Sequence, residues 1–130
     1  MEAKLKKLNK KLQKKAEKDQ LTSLYNYGEI MNILEKEINR CSHINSSLSI
    51  MMIDIDNFSE VNNKYGHVKG DKVIAAVAER IKKSIRKMDS AGRFGGDEFL
   101  IVLPDTNLAR ADELLYQVKK ADKDGIIAAK

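Results

Sequence analysis

Hydrophobic residues at helical spacing begin the chain. Leu5, Leu8 and Leu12 lie on one face of a leader, residues 1–18, that is rich in good helix formers. The repeat is short for a coiled coil, so we expect the leader to pair with its own copy only when the attached domains also associate. A second helical pattern covers residues 28–44, with an apolar face made of Ile30, Ile33, Leu34, Ile38 and Cys41.

A nearly continuous apolar run at residues 48–56 ends in two carboxylates, Asp54 and Asp56. Such a run predicts a strand that is buried on both faces. After a loop that contains two glycines, residues 72–87 return to helical spacing, and Asp71 is placed as the N-cap of that helix. Its buried face is predicted to be Val73, Ile74, Val77, Ile81 and Ile85.

The second half of the chain alternates short strands with one helix. Strands are predicted at residues 90–94 and 99–103, joined by the hairpin turn Gly95-Gly96-Asp97-Glu98. A helix at 107–121 and a last strand at 126–129 complete the order βαββαβ behind two leading helices. This order predicts an α+β fold of the ferredoxin-like, palm type, with an antiparallel sheet and helices packed on one face.

Composition supports a single globular unit. The chain has 130 residues, of which 42% are apolar and 33% charged, and we assign residues 19–130 to one compact domain behind the leader. No apolar run is long enough to cross a bilayer, and none follows the N-terminus as a secretion signal would. The single cysteine, Cys41, excludes an internal disulfide and is predicted to be a core residue. The expected compartment is the cytoplasm.

The net charge of +5 is concentrated in the leader. Residues 1–20 contain eight lysines and three acidic residues, and the remaining 110 residues are balanced. A local charge run of this kind is typical of a solvated helix face. We therefore predict no specific nucleic-acid partner.

Carboxylates are predicted to converge at one edge of the sheet. Asp54 ends the first strand, and Asp97 and Glu98 lie in a glycine hairpin that should be its neighbour. Like charges brought together favour a cation, and hard oxygen ligands suit Mg²⁺ with substrate phosphates. The glycines leave room for a polyphosphate, which indicates metal-assisted phosphoryl or nucleotidyl transfer. Taken singly, these residues also fit a polar hairpin and a capped strand end.

Four motifs in a fixed order narrow these alternatives. They are Asp19-Gln-Leu-Thr-Ser-Leu-Tyr-Asn26, Asp54-Ile-Asp-Asn-Phe58, Asn62-Asn-Lys-Tyr-Gly-His-Val-Lys-Gly-Asp71 and Arg93-Phe-Gly-Gly-Asp-Glu-Phe99. Together they strongly resemble the GGDEF family of diguanylate cyclases, and the leader resembles that family's signalling helix. The resemblance implies that two GTP molecules, one in each domain of a dimer, are joined into cyclic di-guanylate (c-di-GMP) with release of pyrophosphate.

The resemblance also implies roles for the residues of the predicted carboxylate edge. Asp54, the carbonyl of Ile55 and Asp97 would bind the metal ion, Mg²⁺ or Mn²⁺. Glu98 would lie near the ribose hydroxyl and assist its attack. Asp54, Asp97 and Glu98 are therefore the implied catalytic residues.

Substrate binding is implied at further motif positions. Asn62 and Asp71 match the two residues that read the guanine edge, and an amide paired with a carboxylate suits its donors and acceptors. Gly95 and Gly96 would lie against the nucleotide. Phe58, which closes the strand motif, is assigned to the substrate site with them.

A regulatory site is implied by three further residues. Arg86 and Asp89 have the spacing of the family's product-inhibition motif, and Arg93 matches another arginine often used nearby. The planar fork of arginine suits guanine and phosphate. The alternative for Arg86 and Asp89 is an ion pair at the end of a helix.

The chain departs from the family pattern in several places. Ser59 replaces a lysine that is usual near the phosphates, Asn63 replaces a common aspartate, and Tyr27 replaces an arginine. Residues 110–119 fit either the family's terminal segment or the helix that follows the hairpin, and the chain holds fewer residues after the hairpin than the usual domain. In the first alignment Lys119 and Lys123 bind phosphate, and in the second they are surface lysines.

Three other interpretations fit these departures. A shortened domain could bind GTP or c-di-GMP without converting it, and signal by association. It could also be a small palm-type cyclase that makes a different cyclic nucleotide, or a deletion form of a longer cyclase. In the preferred interpretation the expected partners are GTP, c-di-GMP and a second copy of the chain, which pairs through the leader helix or through the active-site faces.

Overall fold

The computed structural model describes residues 3–5, 8, 17–120 and 127–129. Residues 3–5, 8 and 17 are helical, whereas Leu12, Ala121 and Ile126 of the predicted elements lie outside the described residues. The further helices are α1 (Tyr27–His43), α2 (Phe58–Tyr65), α3 (His67–Ser84) and α4 (Leu108–Lys120). The strands are β1 (Leu48–Ile55), β2 (Ser90–Arg93), β3 (Glu98–Pro104) and β4 (Ile127–Ala129).

The four strands form one sheet in the order β2-β3-β1-β4, and all neighbours are antiparallel. The central pair runs from Leu48 opposite Pro104 to Asp54 opposite Glu98. Strand β4 pairs with the end of β1, where Ile55 is opposite Ile127. The α+β class with an antiparallel sheet is therefore confirmed, and the strands follow one another along the chain as predicted.

The larger core lies between one face of the sheet and helices α3 and α4. Alternation along the strands turns every second side chain toward these helices. Strands β1 and β3 contribute Ile53 and Phe99, which are fully buried, and Val118 of α4 closes the layer. The residues of α3 in this core are Ile74, Val77, Ala78 and Ile81.

The helices of the βαββαβ unit, α3 and α4, share one face as predicted, whereas the leading helix α1 covers the opposite face of the sheet. Ile30 of α1 is fully buried against Leu100 and Val102 of β3. Helix α1 packs mainly on β2 and β3, which leaves the outer side of β1 partly open. Ile50 of β1 is 50% exposed there, so the prediction of a strand buried on both faces is wrong. Cys41, at the end of α1, is a buried free cysteine as predicted.

The predicted loop before α3 is instead a helical hairpin. Helix α2 occupies most of that segment, and Gly66, with φ of +87°, separates it from α3. A left-handed residue lets the chain turn sharply, and glycine adopts it without strain. Asp71 therefore lies inside α3, and its prediction as the N-cap is wrong. The helix also ends earlier than predicted, because Ile85 is already extended.

Among the described residues, no helix is both long and apolar enough to cross a membrane.

We expect Gly92→Ala to destabilise the fold by about 1–3 kcal/mol, the usual cost of overpacking. Gly92 is buried on β2, and a Cβ there would lie 2.5 Å from the Cβ of Ile30. Urea unfolding measures the change. Gly28→Ala is the matched control, because its added Cβ meets only an ordinary contact at 3.7 Å. Equal stability of Gly92→Ala and the wild type would mean that α1 does not pack as closely on β2 as described.

Candidate functional site

Three carboxylates meet where β1 ends and the hairpin turn begins. Asp54 lies on β1 directly opposite Glu98, the first residue of β3, and the backbone N–H of Ile55 donates to the carbonyl oxygen of Asp97 at 3.1 Å. One oxygen each from Asp54, Asp97 and Glu98 can be chosen so that all three lie within 4.8 Å of one another. The predicted convergence of these carboxylates is therefore present in the structure.

The turn at residues 94–97 is held by backbone and side-chain hydrogen bonds. The N–H groups of Phe94 and Gly95 donate to the carbonyl oxygen of Glu98 at 2.8 and 3.3 Å. The guanidinium of Arg93 donates to the carbonyl oxygen of Gly96 from Nη2 at 2.8 Å and from Nε at 3.2 Å. A Cβ on Gly96 would meet no atom within 4 Å, so the tip of the turn is open to an incoming group.

The electrostatics of the cluster favour a cation. Partial burial raises the pKa of Asp97 above its usual value, and the neighbouring Asp54 and Glu98 raise this pKa further. A raised pKa means that the charged form of Asp97 is less favourable in the folded protein than in water, because burial and the nearby carboxylates oppose its negative charge. Closely spaced carboxylate oxygens are the ligands that Mg²⁺ and Mn²⁺ prefer. The residues present therefore fit a hard divalent cation.

The predicted guanine-reading residues lie on the α2–α3 hairpin. Gly70 of α3 packs directly on Asn62 of α2: a Cβ on Gly70 would lie 1.8 Å from Asn62 Oδ1 and 3.3 Å from the ring of Phe58. Asp71 follows Gly70 and is exposed. Asn62 Oδ1 is buried and has no hydrogen-bond partner within the described part of the chain. Phe58, assigned to the substrate site, packs partly against the larger core.

Arg86 and Asp89 form a tight ion pair beyond the end of α3. Arg86 donates to Asp89 from Nε at 3.1 Å and from Nη2 at 2.8 Å, and the Asp89 side chain is fully buried. Arg86 Nη2 also donates to the carbonyl oxygen of Pro104 at 3.2 Å and to the hydroxyl of Thr106. The pair borders a cavity of about 220 Å³, whose other lining residues include Arg110, Glu113 and Gln117.

Arg93 does not line this cavity. Its guanidinium lies at the hairpin turn and at Asp19 instead, with Nη1 3.3 Å from Asp19 Oδ1. Lys119 is exposed on α4, and Lys123 lies outside the described residues. The structure therefore brings Arg86 and Asp89 together and groups Arg93 with the carboxylate end of the sheet.

Two features of the site were missed from the sequence. The close contact between Gly70 and Asn62 depends on α2, and the spacing of Phe58, Val61 and Tyr65 on one helical face could have revealed that helix. The contact between Asp19 and Arg93 joins residues 74 positions apart, and no local spacing signals it.

An antiparallel sheet that presents three carboxylates beside a glycine turn defines an α+β domain with a candidate metal site. Residues 16–124 of the chain match the family described as "Diguanylate cyclase, GGDEF domain". This stretch is most of the chain. The protein belongs to the GGDEF domain family, as the motifs predicted.

Named relatives agree with this membership. The chain is 37% identical over 107 residues to diguanylate cyclase DgcP of Pseudomonas aeruginosa, which is 82% of this chain and 16% of DgcP. It is 34% identical over 125 residues to diguanylate cyclase DgcM of Escherichia coli K12, which is 93% of this chain and 30% of DgcM. The chain thus spans less than a third of the length of these curated relatives.

A solved structure supports the fold. The coiled coil and GGDEF domain of DgcB from Caulobacter crescentus, in complex with c-di-GMP, superposes with a TM-score of 0.90 at 22% identity. The match covers 98% of this chain and 73% of that one. At this identity the likeness establishes the shared fold.

Proposed function

We propose that this protein is a diguanylate cyclase that condenses two GTP molecules into c-di-GMP, with release of two pyrophosphates, across a homodimer. The observation that carries the proposal is the cluster of Asp54, Asp97 and Glu98 at the glycine turn of a GGDEF-family chain. The named relatives DgcP and DgcM are diguanylate cyclases, which supports the same reaction class. In this proposal residues 19–130 form one domain, and its antiparallel sheet is of the ferredoxin-like, palm type.

In this proposal the metal site is formed by Asp54, the Ile55 carbonyl and Asp97, with Mg²⁺ or Mn²⁺ bound. The metal ion supplies charge neutralisation for the phosphates of GTP. Glu98 lies beside the ribose and accepts a hydrogen bond from the attacking 3′-hydroxyl. The open space at Gly96 and the missing side chain of Gly95, which lies beside Glu98, let the phosphates approach the backbone.

Guanine selection is assigned to the α2–α3 hairpin. Asn62 lies against Gly70, and Asp71 directly follows Gly70, so the contact between the two helices brings these residues near each other, which supports their acting as a pair. An amide and a carboxylate complement the O6 acceptor and the N1 and N2 donors of guanine. Phe58 supports the hairpin from the core side. Lys119 and Lys123 remain proposed phosphate contacts.

The reaction joins two nucleotides, and the homodimer proposal follows from this requirement. The leader contributes exposed apolar residues that a second copy could cover: Leu5 and Leu8 are 60% and 59% exposed. They are one helical turn apart, so they lie on one face. Association of the leaders would bring two domains together with their GTP molecules facing each other.

Product inhibition is proposed at Arg86 and Asp89. Two arginines, Arg86 and Arg110, border the adjoining cavity, which supports binding of a phosphate-bearing product there. Arg93 would act from the hairpin turn rather than from this cavity. Arg86 already binds Asp89 and Thr106, so the ligand would have to share or replace these contacts.

A second candidate is a domain that binds GTP or c-di-GMP without turnover. Ser59, which replaces the lysine usual near the phosphates, favours this alternative because one positive charge is lost from the phosphate site. A cyclase that uses a different nucleotide would be distinguished from the diguanylate cyclase and from the binding domain by the cyclic nucleotide that it releases.

One experiment separates these functions. The purified chain, at a concentration high enough to dimerise, is incubated with GTP and Mg²⁺, and the nucleotides are identified by mass spectrometry. We expect c-di-GMP and pyrophosphate, and no cyclic product from ATP. A second arm adds c-di-GMP at the start and should lower the initial rate, whereas an unchanged rate would remove the inhibitory role of Arg86 and Asp89. Bound but unconverted GTP would contradict the cyclase proposal and favour the binding domain.

A further inference from the structure

The segment that links the leader to α1 is tied to the sheet by backbone hydrogen bonds. We call residues 17–26 the N-terminal turn. Within it, the N–H of Asn26 donates to the carbonyl oxygen of Glu17 at 2.9 Å. Tyr25 accepts from the N–H of Arg93 at 2.9 Å and donates to the carbonyl oxygen of Ala91 at 3.2 Å. The turn therefore runs alongside β2, the strand that leads into the hairpin.

The carboxylate of Asp19 accepts hydrogen bonds both within the N-terminal turn and from Arg93. Its Oδ2 accepts from the N–H of Thr22 at 3.0 Å and from the Thr22 hydroxyl at 2.8 Å. The same carboxylate faces Arg93 Nη1, at 3.3 Å from Oδ1 and 3.5 Å from Oδ2. Both side chains of the pair are mostly buried, with 21% of Arg93 and 20% of Asp19 exposed. Partial burial makes this ion pair less screened than a surface one.

The other edge of the Arg93 guanidinium holds the hairpin turn. Nη2 and Nε both donate to the carbonyl oxygen of Gly96, the residue directly before Asp97. Arg93 thus connects Asp19 on one side to the peptide that carries Asp97 on the other. A planar fork with five fixed donors can make both sets of contacts at once, and a lysine cannot.

We propose that Asp19 and Arg93 are positioning residues that fix the Gly96–Asp97 peptide, and through it the Asp97 carboxylate, in the geometry needed for metal binding. The inference rests on the proposed function in taking Asp97 as a metal ligand. Asp54 lies on the central strand β1 and needs no such support, whereas Asp97 lies in an open turn. Backbone hydrogen bonds hold the two ends of the turn, through the N–H of Phe94 and the carbonyl oxygen of Asp97. Arg93 adds a hold on the carbonyl oxygen of Gly96 at the tip, where the Gly95-Gly96 pair would otherwise permit other conformations. The contact also links the end of the leader to the site.

The test uses the full chain, three variants of the Asp19–Arg93 pair and one control variant. Asp19→Asn keeps an oxygen for Thr22 but loses the charge that faces Arg93. Arg93→Gln removes the fork, and the double variant combines the two changes. Arg40→Gln is the matched control, because Arg40 forms two side-chain ion pairs, with Glu37 and Asp105, outside the site. Circular dichroism first establishes that each variant is folded.

Two readouts need no GTP, so they are independent of turnover. Amide hydrogen exchange reports the freedom of residues 95–97, and a Mn²⁺ titration followed by electron paramagnetic resonance reports metal affinity. We expect turn exchange to rise, and Mn²⁺ affinity to fall, by about fivefold to tenfold in Arg93→Gln, the size expected for lost charge-assisted hydrogen bonds. Asp19→Asn should show a smaller change in the same direction. The double variant should match Arg93→Gln, because both residues act through one contact.

Two outcomes would overturn the inference. One is turn exchange and Mn²⁺ affinity in Arg93→Gln equal to the wild type and to Arg40→Gln. The other is strictly additive effects in the double variant, which would mean that Asp19 and Arg93 act separately. A wild-type chain that binds Mn²⁺ and responds to Arg93→Gln but does not convert GTP would contradict only the proposed function.

Discussion

Asp97→Asn is expected to lower Mg²⁺-dependent formation of c-di-GMP by about 10²–10³-fold, the usual loss when one group that stabilises transition-state charge is removed. Asparagine keeps the shape of the side chain and the turn but loses the negative charge that, in the proposed function, holds the cation. The other carboxylates of the cluster, Asp54 and Glu98, remain in place. Initial rates of pyrophosphate release at saturating GTP measure the effect.

The same substitution should stabilise the metal-free protein at neutral pH. The pKa of Asp97 is raised in the folded state above its usual value of 3.8, first by burial and then by Asp54. The folded state therefore binds this proton more tightly than the unfolded state does, so the stability linked to it is present at low pH. That stability is lost as pH rises through the folded-state pKa. Asparagine does not ionise, so Asp97→Asn does not lose this stability as pH rises.

Thermal unfolding without metal separates this effect from catalysis. The wild type should lose stability as pH rises from about 4 through the raised pKa of Asp97, and added Mg²⁺ should restore stability at neutral pH. Asp97→Asn should show a weaker pH dependence and a smaller response to Mg²⁺. Asp56→Asn is the matched control, because Asp56 follows β1 but is exposed and outside the cluster. Turnover of Asp97→Asn equal to that of Asp56→Asn would exclude the metal-ligand role of Asp97.

The carboxylate cluster could be predicted because each of its two elements has a local signal in the sequence. An apolar run ending at Asp54 and a glycine hairpin at residues 95–98 each identify an element. That the two elements are neighbours came from the palm-type arrangement, in which antiparallel strands bring these ends together. The register that places Asp54 opposite Glu98 is seen only in the structure. The four ordered motifs then identified the family to which the chain belongs.

Some errors came from contacts that join distant parts of the chain, and one came from reading two nearby glycines as a loop. Whether Ile50 is covered depends on where α1 lies across the sheet, and strand periodicity carries no information on that placement. Gly66 and Gly70 both suggested a loop, but only Gly66 breaks the helix, through its positive φ. Gly70 is instead required inside α3 because Asn62 lies against it. The link from Asp19 to Arg93 likewise depends on the assembled fold.

Gly70→Ala should disrupt the α2–α3 hairpin and, with it, nucleotide selection. The new Cβ would lie 1.8 Å from Asn62 Oδ1 and 3.0 Å from Asn62 Cγ, so the two helices must move apart or the Asn62 side chain must leave its place. Overpacking of this kind costs about 1–3 kcal/mol of unfolding free energy. The KM for GTP should rise about tenfold or more, since in the proposed function a displaced Asn62 amide leaves the guanine edge without its partner.

A second substitution shows whether Asn62 is the cause. In Gly70→Ala/Asn62→Ala the atoms nearest to the new Cβ are gone, and the remaining neighbour, Phe58 Cζ at 3.3 Å, can shift by a few tenths of an ångström. Urea unfolding should therefore show most of the lost stability restored, while the raised KM for GTP persists because the amide is absent. Gly28→Ala, an exposed glycine of α1 with room for a Cβ, controls for the general effect of the substitution. If the double variant is no more stable than Gly70→Ala, the Asn62 contact is not what requires glycine at this position. If stability returns and GTP binding returns with it, Asn62 does not read the base, and guanine selection must lie elsewhere on the domain.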